Sequence, residues 1–365
     1  MKLIIIKPRC REPDKTKRLE MVLSYGIEKA VKEEKITAEY IETASEIKDF
    51  LKKEQLKNKR ILFAISLGVS GVNLEYYEML KAIRLTKNCF CKSVAGIIID
   101  GKNEFYTKSI ARELVMAANI AGCTFVGSPL VEGTGSLKNF EVKASNLKKN
   151  TTEAYMEFAR ILINKVIKYY PIKKKCPKLL CVHASDKGRS NTLHLWNMVK
   201  KNIGKKCEIQ EVSLAKENIQ DCAGCSYTVC MYYGKKNRCL YNDIIVEKIY
   251  PLLQESDALI MPCPNYNDAI GAGLTAFVNR LTALYRICPF DNKYLYAIVV
   301  SGYSGGDLVS EQLIGGLNMN KSFILPEKFV LTATANAPGS VLEIPEIEQK
   351  AEKFARNILD MLLKE

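Results

Sequence analysis

The alternation of short apolar runs with longer amphipathic stretches constrains this chain more than any other feature. Lys178 to Ala184 is an apolar run, followed by polar Ser185 to Thr192 and an amphipathic stretch through Trp196 and Val199. That reads as strand, loop and helix. Cys207 to Leu214 alternates like a second strand, Ile244 to Leu253 has helical spacing, and Ala258 to Met261 is a buried strand leading to a turn at Pro264. Leu274 to Tyr285 reads as helix, and Tyr294 to Val300 and Lys328 to Ala333 as strands. The last helix carries Ile347, Ala351, Phe354, Ala355, Ile358, Leu359 and Leu362 at helical spacing, with Pro345 suited to its first turn. Strands separated by helices pair in parallel through right-handed crossovers, so the expected fold class is α/β, a doubly wound open sheet covered on both faces.

The first half repeats the plan. Its strands are Leu3 to Ile6, Ala38 to Ile41, Ile61 to Ile65, Val94 to Ile99 and Thr124 to Val126. Helices are expected near Leu19 to Glu33, Ile47 to Leu56, Tyr76 to Leu85 and Ser109 to Ile120, and the closing helix Thr151 to Tyr169 carries Tyr155, Phe158, Ala159, Leu162, Val166 and Tyr169 on one stripe. Both halves place a glycine turn after the fourth strand, at Asp100-Gly101 and Ser301-Gly302. The reading is a duplication: a degenerate domain over 1–172 and a ligand-binding domain over 173–365 with a Cys-rich insertion at 222–239. A length of 365 residues suits about two domains. The halves differ chemically. After its first strand the first half has Pro8-Arg9-Cys10-Arg11-Glu12-Pro13, with no small hydroxyl residues opening a helix.

With 47% hydrophobic and 26% charged residues the chain is able to bury a large core. Met1 to Lys7 holds an apolar run of only four residues, too short for a signal peptide, and no stretch approaches the roughly 18 apolar residues that span a bilayer. Thirteen cysteines without an export signal point to reduced thiols in the cytoplasm. The net charge of +14 would favour anionic ligands, yet the lysines are spread. The densest group, Lys165 to Lys178, reads as a solvated linker, and no nucleic-acid-binding signature accompanies it.

In open α/β sheets ligands bind beyond the carboxyl ends of the strands. Three loops of the second half lie there. Ser185-Asp186-Lys187-Gly188-Arg189-Ser190-Asn191-Thr192 opens a helix whose free amides and dipole attract a phosphate. Pro262-Cys263-Pro264-Asn265-Tyr266-Asn267 is stiffened by two prolines, and Ser301-Gly302-Tyr303-Ser304-Gly305-Gly306-Asp307 has glycines that let backbone approach a flat ligand. Each loop alone also fits an ordinary cap, turn or surface loop.

The order of Ser-x-x-x-x-Ser-Asn-Thr, Cys-x-x-Cys, Pro-Asn-Tyr before Leu274 to Arg280, and Ser-Gly-Tyr-Ser-Gly-Gly resembles the NADPH-dependent FMN reductases and iron-sulfur flavoproteins of the flavodoxin-like superfamily, over about residues 177 to 365. The resemblance implies FMN phosphate at Ser185, Arg189, Ser190, Asn191 and Thr192. It places the isoalloxazine ring between Pro264, Asn265, Tyr266 and Asn267 on one side and Ser301, Gly302, Tyr303, Ser304 and Gly305 on the other. His183-Ala184-Ser185-Asp186 departs from the family's Gly-Ser-Pro-Arg type of start.

Cys222, Cys225, Cys230 and Cys239 are spaced C-x2-C-x4-C-x8-C. Short spacing lets one loop's thiolates converge on a 4Fe-4S cluster, but structural zinc and free or redox-active thiols are open alternatives. Cys123, Cys181 and Cys207 read as small buried hydrophobes and Cys263 as packing. Only His183 and His194 are present, and no Ser-His-Asp arrangement emerges by spacing.

The expected function is an FMN-dependent NAD(P)H oxidoreductase passing electrons to a quinone, a small acceptor or an Fe-S centre. The flavin carries the chemistry, so no catalytic side chain is assigned. The alternatives are a non-enzymatic flavin electron carrier and a zinc-stapled binding module. A homo-oligomer is expected, with no nucleic-acid or membrane partner.

Overall fold

In the computed structural model the apolar runs become two separate parallel sheets, one in each of two units, Met1–Tyr170 and Pro171–Glu365. The structure describes residues 1–12, 17–185 and 188–364, with Glu33 described in its backbone only. Pro13, Asp186 and Lys187, part of the loops singled out above, lie outside the described residues.

The first unit contains β1 (Lys2–Ile6), α1 (Arg18–Glu34), β2 (Thr37–Ile41), α2 (Ala44–Lys52), β3 (Arg60–Ser66), α3 (Leu74–Leu85), β4 (Ser93–Asp100), α4 (Thr107–Ile120), β5 (Cys123–Gly133), α5 (Glu141–Leu147) and α6 (Thr151–Lys168). Its strand order is β2-β1-β3-β4-β5, the flavodoxin-like order. Tyr155, Ala159, Leu162 and Val166 of α6 are buried with Leu19, Val22 and Leu23 of α1 in one cluster against the sheet, while Phe158 and Tyr169 pack at its margin. β5 runs far beyond the predicted Thr124 to Val126. Its register with β4 jumps from Ala95↔Phe125 to Ile97↔Leu130, so an irregularity holding Ser128 (φ 52°) and Pro129 is absorbed where an edge strand tolerates it.

At the carboxyl end of this first sheet the described loops make contacts with one another. The Glu12 carboxylate accepts from the Val69 N–H at 2.6 Å and the Ser70 hydroxyl at 2.7 Å and lies against Gly68, while the Tyr106 ring covers Gly71. Arg18 forms a fork on Asp100, whose side chain is fully buried, at 2.7 and 3.0 Å.

The second unit contains β6 (Lys178–His183), α7 (Asn191–Ile203), β7 (Glu208–Ser213), α8 (Tyr227–Gly234), α9 (Tyr250–Glu255), β8 (Ala258–Tyr266), β9 (Ala269–Ile270), α10 (Ala272–Tyr285), β10 (Tyr294–Ser301), α11 (Gly306–Leu313), β11 (Val330–Thr334) and α12 (Ile347–Leu362). The parallel order β11-β10-β8-β6-β7 repeats that of the first sheet, and β9 adds a short antiparallel pairing to β8. All seven apolar residues expected on the last helix are buried on α12.

The turn predicted at Pro264 is a correction. β8 continues to Tyr266, because beyond Ile260 its ladder to β6 has ended while that to β10 goes on as far as Pro264↔Val300. Prolines lack the N–H that a two-sided strand needs, and Pro262 and Pro264 sit where only one side is paired. The helix expected over Ile244 to Leu253 begins as a π-turn at Ile245–Ile249, just before Pro251.

Candidate functional site

Three connections converge beyond the carboxyl ends of β6, β8 and β10. At the first, Ser190 caps α7, its hydroxyl accepting from the Leu193 N–H at 3.3 Å. The other first-turn amides of a helix lack helical acceptors and favour an anion. Ser185, 4% exposed, presents a buried hydroxyl with no partner among the described residues. A buried hydroxyl left unpaired costs on the order of 1–3 kcal/mol, so a site that keeps one is suited to a polar ligand.

At the second connection β8 and β9 form a two-residue hairpin. Asn267 (φ 51°) and Asp268 (φ 57°) take the left-handed conformations that a type I′ turn requires at both central positions. Asn265 donates to Asp268 at 3.1 Å and to the Ser304 carbonyl at 2.9 Å, tying this hairpin to the third loop. Its Oδ1 is buried without a partner among the described residues.

Gly305 has φ 81°, and a side chain there would overlap Asp268 and Asn265. Gly305→Ala is therefore expected to cost about 1–2 kcal/mol through backbone strain and to separate the two loops. Thermal unfolding checks this; an unchanged midpoint would mean that the loops do not need this close approach.

The three connections surround a cleft of about 330 Å³, within the range of small-molecule sites. Of the residues expected at a cofactor, Ser185, Arg189, Ser190, Asn191, Thr192, Pro264, Asn265, Tyr266 and Gly302 line it. Asn267, Ser301, Tyr303, Ser304 and Gly305 do not: Asn267 makes the turn, Gly305 admits the hairpin, and Ser304 is held through its carbonyl. Sequence reasoning missed Val300 and a fourth wall, Ala335, Asn336 and Pro338, from the loop after β11. The signal in that loop, Ala-Pro-Gly, marks only a turn.

A charged pair sits beside the phosphate-type loop. Glu211 on β7 accepts from Trp196 Nε1 and Lys200 Nζ, each at 3.1 Å, and lies 3.5 Å from His183 Nε2. The His183 ring beside it, then the hydrogen bonds from Trp196 and Lys200, outweigh burial and lower the Glu211 carboxyl to about 2. A depressed carboxyl pKa contributes stability that is fully present above the ordinary value of 4.5 and is lost as pH falls through about 2. Glu211→Gln is thus expected to lower stability at neutral pH by about 1–3 kcal/mol, with the gap to the native protein closing in strong acid. Urea unfolding across that pH range checks it, and a gap independent of pH would contradict the assignment.

The cysteine quartet lies on an excursion between β7 and α9. Cys222 is exposed, Cys225, Cys230 and Cys239 are half-buried, and α8 forms inside the segment, which the spacing did not reveal. Arg280 of α10 holds both ends of the excursion: it donates to the Gln220 carbonyl at 3.3 Å and the Tyr241 carbonyl at 2.9 Å and forms a fork on Asp243. Asn279 donates to Asp221 at 3.0 Å.

Among the described residues no three His, Cys, Asp or Glu side chains come together to hold a metal ion, so the quartet as placed does not fit a metal centre. Cys181 and Cys263 are buried in strands, where burial pushes both thiols up and keeps them protonated.

Strand order and cleft define a flavodoxin-like α/β domain with a ligand site at the strand ends. Residues 177–337, in the second half of the chain, match the family model described as NADPH-dependent FMN reductase.

Solved structures similar to the chain include RosB with a bound 8-demethyl-8-formylriboflavin-5'-phosphate intermediate (14% identity, 51% of this chain and 79% of that one, TM-score 0.41). Others are an NAD(P)H:quinone oxidoreductase from Methanothermobacter marburgensis (14%, 50% and 99%, TM-score 0.38) and an azoreductase from Bacillus anthracis str. Sterne (13%, 49% and 97%, TM-score 0.35). No curated protein matches the chain. Among the described residues no helix is long and apolar enough to cross a membrane.

Proposed function

We propose that the second unit holds FMN in this cleft, with the phosphate on the first turn of α7 and the ring toward Pro264, Asn265 and Tyr266, and that NAD(P)H reduces it for transfer of electrons to a small acceptor such as a quinone. The observation that carries the reading is the buried Ser185 hydroxyl, without a partner among the described residues, beside the open first turn of α7. When bound, the flavin would supply hydride acceptance and electron transfer. The protein's part is to bind and orient it. Ser185, Ser190 and the α7 amides meet the phosphate and Arg189 adds charge. Asn265, whose Oδ1 is buried without a partner among the described residues, offers that acceptor to a ring N–H. Tyr266, 62% exposed at the cleft, offers a ring face.

Cys222, Cys225, Cys230 and Cys239 carry no electron in this reading. The first unit is proposed to hold no flavin, since the sequence after its first strand opens no helix with small hydroxyl residues and Glu12 and Tyr106 lie over Gly68 and Gly71 of the loop after β3. Anaerobic titration with FMN followed by NAD(P)H tests the activity: bleaching of bound flavin by the nucleotide and its return on adding a quinone are expected. Flavin that binds but is not reduced would favour an electron carrier served by a protein partner.

A further inference from the structure

The fourth wall of the cleft is tied to two of the predicted cofactor loops by side chains. Asn191, 8% exposed at the start of α7, donates through Nδ2 to the Ala335 carbonyl at 3.2 Å and the Ala337 carbonyl at 2.8 Å. Its Oδ1 accepts from the Val341 N–H at 3.3 Å. An amide side chain has two donor hydrogens and one acceptor oxygen, so Asn191 is committed to the 335–341 loop and little of it is left for a phosphate.

Between the two carbonyls that Asn191 holds, Asn336 lies against Gly302 and donates to the Tyr303 hydroxyl at 2.9 Å. The Ala335 N–H donates to the Ser301 carbonyl at 2.9 Å. The first turn of α7 is thus linked through 335–341 to the loop after β10.

We propose that Asn191 is a positioning residue that acts through this loop: it holds Asn336 against the ring-side loop, so that the loop after β11 is a built wall of the flavin site. This rests on the flavin reading and adds to it a residue set outside the three loops. It also separates two roles for Asn191. A phosphate contact would matter for FMN and not for riboflavin, which has no phosphate, whereas a wall held by Asn191 would matter for both.

The test is titration of the full chain and of Asn191→Ala with FMN and with riboflavin, followed by flavin fluorescence. Asn191→Ala is expected to weaken both ligands by a common factor of about tenfold, the scale of buried hydrogen bonds lost. Asn336→Ala, an exposed change that leaves α7 intact, should weaken both by a smaller common factor, and the double variant should lose no more than Asn191→Ala alone. Loss confined to FMN, or no loss, would overturn the proposal.

Hydrogen exchange of the ligand-free protein reads the same link without flavin: 335–341 should exchange faster in Asn191→Ala than in the native chain. If the native chain binds neither flavin, the flavin reading fails on its own, and unchanged exchange of 335–341 would then overturn the positioning role separately.

Discussion

Arg280→Met is expected to destabilise the second unit by about 3–5 kcal/mol, the scale for removing one partner of a buried ion pair. The Arg280 side chain is fully buried, and its guanidinium satisfies Asp243 and two carbonyls that belong to opposite ends of the cysteine-bearing excursion. Methionine fills much of the volume but leaves the Asp243 carboxylate, 16% exposed, without its cation, and frees the carbonyls of Gln220 and Tyr241. Arg280→Lys keeps a charge but loses the planar fork, so an intermediate loss is expected. Urea unfolding of the three proteins measures this. A Met variant within about 1 kcal/mol of the native chain would show that the excursion is held by other contacts.

Ser185→Asp is expected to lower FMN affinity at least about 100-fold while leaving the ligand-free protein folded. Two unit charges about 4 Å apart repel by about 4 kcal/mol at an effective dielectric near 20, and a tenfold change needs about 1.4 kcal/mol. The same carboxylate near the start of α7 is favoured by the helix dipole when no ligand is bound, so stability and affinity should move apart. Riboflavin binding should fall far less. Equal losses for the two ligands would mean that the phosphate is not carried by this loop.

Much of the fold was legible because burial imposes periodicity. Strands buried on both faces read as continuous apolar runs, and the face of α12 was read residue by residue. Strand ends were less legible. β8 runs through two prolines because its pairing becomes one-sided beyond Ile260, and β5 crosses an irregularity at Ser128 and Pro129; neither follows from local propensity.

The three loops of the cleft could be found because strand-end position and turn residues are written locally. The wall at 335–338 could not, since what brings it there is the pairing of β11 with β10 and the three hydrogen bonds of Asn191. Spacing gave the quartet no three-dimensional meaning either, because α8 and the Arg280 clamp decide where those thiols lie.

The most direct test of the account is an equilibrium titration of the full chain with FMN and riboflavin, read by fluorescence and by absorbance for stoichiometry. One FMN per chain is expected, bound more tightly than riboflavin, because among the described residues the second unit has an open cleft whose helix start can meet a phosphate. No saturable binding, equal affinity for the two flavins, or two FMN per chain would contradict it.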